Sequence, residues 1–140
     1  MTFKEMFLAE HPIDGEQMLE EARIKAAKGY KQLHEEFAFN FDPCPLYGVE
    51  YMNGLDEEWG SATFCNPPYG RAIGKWTAKA VSEWKKGKTV VLLIPSRTDT
   101  KWWHSDIMQA NEIRFIKGRL KFGSAITGAP FPSALAVYHA

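Results

Sequence analysis

The chain has no apolar stretch near the roughly 18 consecutive residues that span a bilayer, and its first residues lack the apolar centre of a signal peptide. Neither a membrane association nor export is therefore expected, and a cytoplasmic location is. Cysteine is scarce. Cys44 and Cys65 are the only two and have no metal-ligand spacing, so no metal site is expected and both read as reduced thiols. No repeat, low-complexity run or compositional break marks a second domain, and 140 residues suffice for one core. The net charge is zero, which excludes a chain that is basic throughout.

Aromatic residues are plentiful, at 14% with five Trp, enough for stacking or interface surfaces beyond the core. Charge is abundant and segregated. Residues 1–60 carry 13 acidic and 5 basic side chains, whereas residues 61–140 carry 4 acidic and 12 basic. From Arg71 to Lys88, Arg71, Lys75, Lys79, Lys85, Lys86 and Lys88 face only Glu83. Such a half attracts a polyanion. The two halves pairing with each other, in the fold or across a homo-oligomer, is the competing reading.

Asp14, with Gln17 three residues on, reads as the cap of a helix carrying Leu19, Ala22, Ala26, Tyr30 and Leu33 on one face. The alternating run Phe37-Ala38-Phe39-Asn40-Phe41-Asp42 predicts a strand that ends at Pro43. A polar loop with Asn53-Gly54 leads to a strand at 61–65, then a turn and a helix up to Lys86, stopped by Gly87. Thr89-Val90-Val91-Leu92-Leu93-Ile94-Pro95 has the continuous apolar pattern of a strand buried on both faces. Ser96-Arg97-Thr98-Asp99 offers capping chemistry for a helix through Trp102, Trp103 and Ile107, with one tryptophan directed to the core. Strands are expected at 112–116, 119–122 and 133–138, with a Gly/Pro-rich loop over 123–132. This alternation predicts an α/β domain with a compact, open, mostly parallel sheet and an antiparallel C-terminal edge.

Asn66-Pro67-Pro68-Tyr69 carries the chemistry. Each proline fixes its own φ and pushes the preceding residue toward extended backbone. The turn thus holds the Asn66 amide oxygen and nearby carbonyls as a rigid acceptor array beside the Tyr69 ring. Such an array suits a planar exocyclic amine, whose two N–H groups need two acceptors. Taken alone the tetrapeptide is equally a strand-to-helix turn. Its place after a strand and before an amphipathic helix is where open α/β sheets bind ligands.

The clamp resembles that of the amino-methyltransferases with a (D/N)PPY motif. The segments Glu36 to Cys44, Phe64 to Gly70, Leu93 to His104 and Gly118 to Phe122 are together similar, in order and spacing, to the phage-encoded Dam-type DNA N6-adenine methyltransferases. The likeness covers residues 34–138. It implies a single Rossmann-like domain over residues 1–140, with 1–33 a variable helical segment, that uses S-adenosylmethionine and acts on DNA. It places the catalytic clamp on Asn66, Pro67, Pro68 and Tyr69, and a cofactor-binding strand end on Asp42, Pro43 and Cys44, with Asn66 also at the cofactor. A turn aspartate is the other reading of Asp42. The target base would leave the duplex stack and rest on Tyr69. Arg71, Lys75, Arg97 and Arg119 are the expected nucleic-acid contacts, with local salt bridges as their alternative. The chain departs from the pattern in having one late glycine, Gly48, where a glycine-rich loop is usual, and no Thr-Pro pair upstream. Methylation of RNA guanine or of protein glutamine, or a non-catalytic binding role, fits the same clamp.

Overall fold

The run of β-branched and aliphatic residues after Gly87 leaves no polar face to show to water, so it must be covered on both sides. In the computed structural model, which describes residues 29–44, 54–118 and 131–140, this run is the central strand β2, Thr89–Pro95. It pairs in parallel with β1, Ala62–Cys65, with Cys65 opposite Leu92. On its other side it pairs antiparallel with β4, Ser133–Tyr138, which pairs antiparallel with β3, Glu112–Phe115. The order is β1-β2-β4-β3.

The sheet is open and mixed, which corrects the expectation of a mostly parallel sheet with an antiparallel edge. Strands β1, β2 and β3 share one direction, and β4 alone opposes them. The reversed strand lies inside, between β2 and β3, because its sequence Ser-Ala-Leu-Ala-Val-Tyr is as apolar as β2 and is buried along nearly its whole length. The edges among the described residues are β1, flanked only by the Phe41 bridge, and β3, whose end residues Glu112 and Phe115 are exposed.

Side chains alternate across β2 into two clusters. Val90, Leu92 and Ile94 pack with Ala134, Ala136 and Tyr138 beneath Ile73, Trp76, Ala80, Val81, Trp103 and Ile107. Val91 and Val137 point the other way, to Phe39, Tyr30, Leu33 and Phe37. The second face is covered by helix α1, described over residues 29–37. Its Tyr30 and Leu33 do face the core, as the helical stripe requires. The Asp14 cap and the stripe residues Leu19, Ala22 and Ala26 lie outside the described residues.

The strand expected from Phe37 to Asp42 is a correction. Phe37 ends α1, Ala38 takes φ 52°, and only Phe41 makes a bridge, parallel to Thr63. A positive φ at Ala38 breaks both helix and ladder. The alternating rings serve packing instead, with Phe39 in one cluster and Phe41 against the other. Helix α2, Ile73–Lys85, ends where Gly87 adopts φ 97° and its N–H bonds the Trp84 carbonyl at 2.8 Å. Helix α3, Lys101–Ser105, is capped by Thr100 rather than by the four residues before it. The Thr100 hydroxyl accepts from Trp103 N–H at 3.3 Å, and a 3₁₀ turn, Ile107–Gln109, follows.

Candidate active site

The ladder between β1 and β2 carries the chain to Cys65 and then ends, because Pro67 and Pro68 have no N–H to donate. Asn66 therefore stands at the carboxyl end of β1, whose outer side carries only the Phe41 bridge. Pro67 is buried and Pro68 exposed, so one ring anchors the turn and the other faces water. Asn66 and Tyr69 are each half-buried. The Tyr69 hydroxyl donates to the Asn66 amide oxygen at 3.0 Å, closing the turn across both prolines. Burial, with the Cys65 thiol nearby as a lesser cause, pushes the Tyr69 hydroxyl up to about 12, so it remains a donor at neutral pH.

Beside the clamp opens a cavity of about 320 Å³, lined by Tyr69, Gly70, Ile73, Pro95, Arg97, Thr100, Trp102 and Phe131. Three aromatic rings, one cation and the hydroxyls of Tyr69 and Thr100 give it the lining of a site for a flat, partly polar ligand. Tyr69 meets the Phe131 ring edge to face, with centroids 5.0 Å apart and planes at 79°. The Arg97 guanidinium lies over Phe131, 5.5 Å from its centroid. Thr100 fixes the loop that carries Arg97 by donating its hydroxyl to the Arg97 carbonyl at 2.7 Å. Of the two tryptophans, Trp103 is in the core and Trp102 is partly exposed at the cavity. Sequence reasoning left Phe131 inside a Gly/Pro loop and gave Thr100 and Trp102 no role. An aromatic ring immediately before the last strand was the available signal for Phe131.

Asp42 lies on the far side of β1 from β2. The Phe41 bridge holds it there, through Phe64 N–H donating to the Phe41 carbonyl at 3.1 Å. The Asp42 carboxylate accepts the Cys44 N–H at 3.0 Å, a turn contact across Pro43. That is the turn geometry named as its alternative role, yet it accounts for one lone pair only. Burial raises the Asp42 carboxyl to about 6 against that hydrogen bond, and no cation among the described residues pairs with it. Its charge reaches the Cys44 thiol, which burial pushes up to about 11, and the Cys65 thiol, which burial holds well above its ordinary value. Asp42, Cys44, Cys65 and Tyr69 thus form one neighbourhood, and the two ends read from the sequence meet through Cys65. Pro43 is buried on Gly54, where a Cβ would come 2.3 Å from the Pro43 carbonyl oxygen and 2.9 Å from the Trp76 ring. Only glycine allows that approach.

The basic run divides. At the clamp end of α2, Arg71 and Lys75 are exposed and make no ion pair among the described residues. At the other end Lys79, Lys86 and Lys88 converge on the buried Glu83 carboxylate, from Lys79 at 2.8 Å and Lys86 at 3.3 Å. Burial would raise Glu83, but the hydrogen bonds from Lys79, Lys88 and Lys86 outweigh it and bring the carboxyl down to about 2. Lys88 also reaches Glu58 at 3.2 Å, and Arg114 binds both Glu36 and Glu112. Of these pairs, Lys88–Glu58 and Arg114–Glu36 join the acidic and basic halves, whereas those to Glu83 and Glu112 lie within the basic half. Arg119 and residues 119–122 lie outside the described residues.

Among the described residues, no group of His, Cys, Asp or Glu gathers to hold a metal ion, and no helix is long and apolar enough to cross a membrane. Comparison with curated proteins and with solved structures gave no match. The family model described as DNA N-6-adenine-methyltransferase (Dam) matches residues 30–135, a span that contains the clamp, the Asp42 turn and every strand up to the middle of β4, and the chain belongs to that family.

Proposed function

We propose that the protein transfers a methyl group from S-adenosylmethionine to the N6 amino group of adenine in DNA, on a Rossmann-like frame. The observation that carries this reading is the half-buried Asn66 amide oxygen, held by a two-proline turn at the end of β1 beside an aromatic-lined cavity. The family supplies DNA as the substrate class.

The residues present fit the methyl donor. Asp42 is a carboxylate held partly out of water without a cation among the described residues, and its position next to Cys65 puts it one residue from the clamp. It would hold the cofactor's ammonium group or its hydroxyls, with Pro43 and Cys44 forming the adjoining wall. When bound, S-adenosylmethionine supplies an electrophilic methyl group on a cationic sulfur. An adenine amino group is a poor nucleophile because its lone pair is delocalised into the ring. Acceptance of its two N–H bonds by the Asn66 amide oxygen and the Pro67 carbonyl favours a pyramidal nitrogen, with the lone pair free for attack. Both acceptors then sit where positive charge develops, and they are fixed before the reaction begins. Tyr69 supplies a stacking face for a base taken out of the duplex. Arg97, which lines the cavity, and the exposed Arg71 and Lys75 at the clamp end of α2 would serve as phosphate contacts, which position DNA without reading its sequence.

Asn66→Ala tests the reading. Loss of one well-placed polar contact in a transition state costs about 10²–10³ in rate. The variant is expected to bind cofactor by calorimetry and to methylate unmodified DNA slower by that factor. Wild-type turnover in Asn66→Ala would remove the clamp from the chemistry.

A further inference from the structure

In the free protein, one of the two lone pairs of the acceptor that an adenine amino group needs is already engaged. The Tyr69 hydroxyl donates to the Asn66 amide oxygen at 3.0 Å, and the ring that would receive the base is committed to Phe131, edge to face. Phe131 is itself held, half-buried on the chain entering β4, with the Arg97 guanidinium over its ring at 5.5 Å. The Arg97 loop is fixed in turn by the Thr100 hydroxyl. A continuous set of contacts thus runs from an exposed cation, through two rings, to the Asn66 oxygen. Edge-to-face pairs and cation–π contacts each have a preferred orientation, so they set the tilt of Tyr69 as well as covering apolar area.

We infer that Tyr69 is a latch on the Asn66 acceptor and that Phe131 is the positioning residue that sets it: the hydroxyl caps the amide oxygen until an incoming adenine displaces it. The inference rests on the adenine reading above. It separates two properties of one side chain. The ring of Tyr69 favours the bound base by stacking, while its hydroxyl competes with the base for Asn66. Removing the whole ring and removing only the hydroxyl should therefore act in opposite directions on base capture. A hydrogen bond with a purely structural role gives no such reversal, since losing it would only loosen the turn.

The test compares KM for unmethylated duplex DNA and kcat, with saturating S-adenosylmethionine, in Tyr69→Phe, Tyr69→Ala, Phe131→Ala and Phe131→Tyr. Exchange of one neutral hydrogen bond is expected to lower KM for DNA by about 3- to 10-fold in Tyr69→Phe. Tyr69→Ala, lacking the stacking face, should lose turnover. Phe131→Ala frees the tyrosine ring, so KM should fall while kcat also falls through lost alignment, and Phe131→Tyr, which keeps a ring for Tyr69 to meet, should restore both. If Tyr69→Phe has an unchanged or raised KM while the wild type methylates adenine, the latch is overturned and the adenine reading stands. A lowered KM in Tyr69→Phe with no effect of Phe131→Ala overturns the positioning role. If the wild type leaves adenine unmethylated, the adenine reading fails and takes the latch with it.

Discussion

Asp42→Asn should stabilise the ligand-free protein at neutral pH and leave it unchanged in acid. The Asp42 carboxyl is raised by burial from an ordinary 3.8 to about 6, so the folded state holds a proton that the unfolded chain would release. Its contribution to stability is fully present below about pH 4 and is lost as pH rises through about 6. Each unit corresponds to about 1.4 kcal/mol, and a shift of this size costs about 3 kcal/mol for a fully dry carboxylate, nearer 2 kcal/mol with water reaching part of the group. Asparagine is nearly the same shape and keeps an oxygen for the Cys44 N–H, so it removes the charge without breaking the turn. Urea unfolding at pH 4 and at pH 7.5 reads the difference. The variant should gain about 2 kcal/mol at pH 7.5 and nothing near pH 4, while losing affinity for S-adenosylmethionine. In the wild type, cofactor affinity should itself increase as pH rises through about 6, because a cationic ligand favours the ionised carboxyl. An equal gain at both pH values, or none, would refute the claim that a desolvated charge at Asp42 is held ready for a ligand.

Replacing Arg71 and Lys75 together should flatten the salt dependence of DNA binding by close to two units of log–log slope, since each phosphate contact contributes about 0.9. Filter binding across a salt series checks it, and a loss of stability with an unchanged slope would assign these cations to the fold. Glu83→Ala leaves three lysines around an empty site and should cost about 3 kcal/mol in urea unfolding at pH 7, the low end for breaking a buried pair because the lysines stay partly solvated. Because the Glu83 carboxyl lies below its ordinary value, that contribution is present above about pH 4.5 and fades as pH falls toward 2, so the variant and wild type should converge in acid. Gly54→Ala forces a Cβ against the Pro43 carbonyl and the Trp76 ring, and should weaken cofactor binding in calorimetry through displacement of the Asp42 turn.

What was legible in the sequence was what local chemistry decides. The apolar run of β2, the stop at Gly87 and the apolar close of the chain in β4 follow from patterning alone, and their bounds agree with the structure. The position of Asn66 after a strand followed from the two prolines. Where tertiary contacts compete with local pattern, the reading fell short. The alternating aromatics of 37–41 have a strand's period, yet Phe37 closes a helix and the rings divide between two packing faces. The insertion of β4 between β2 and β3 depends on which apolar strands can cover each other, which no local period encodes. The charge count sets one glutamate against six cations but does not show that Glu83 is buried and gathers three of them. Phe131 reaches the clamp from sixty residues away, a contact that only the sheet order creates.

The most direct test of the central claim is the chemical identity of the methylated nucleoside. Duplex DNA free of adenine methylation, incubated with the full chain and isotopically labelled S-adenosylmethionine, is digested to nucleosides and resolved by mass spectrometry. An Asn66 clamp beside a ring-lined cavity predicts label in N6-methyldeoxyadenosine and its near loss with Asn66→Ala. Label on cytosine or guanine, or none on DNA under conditions where the cofactor binds, would contradict the account.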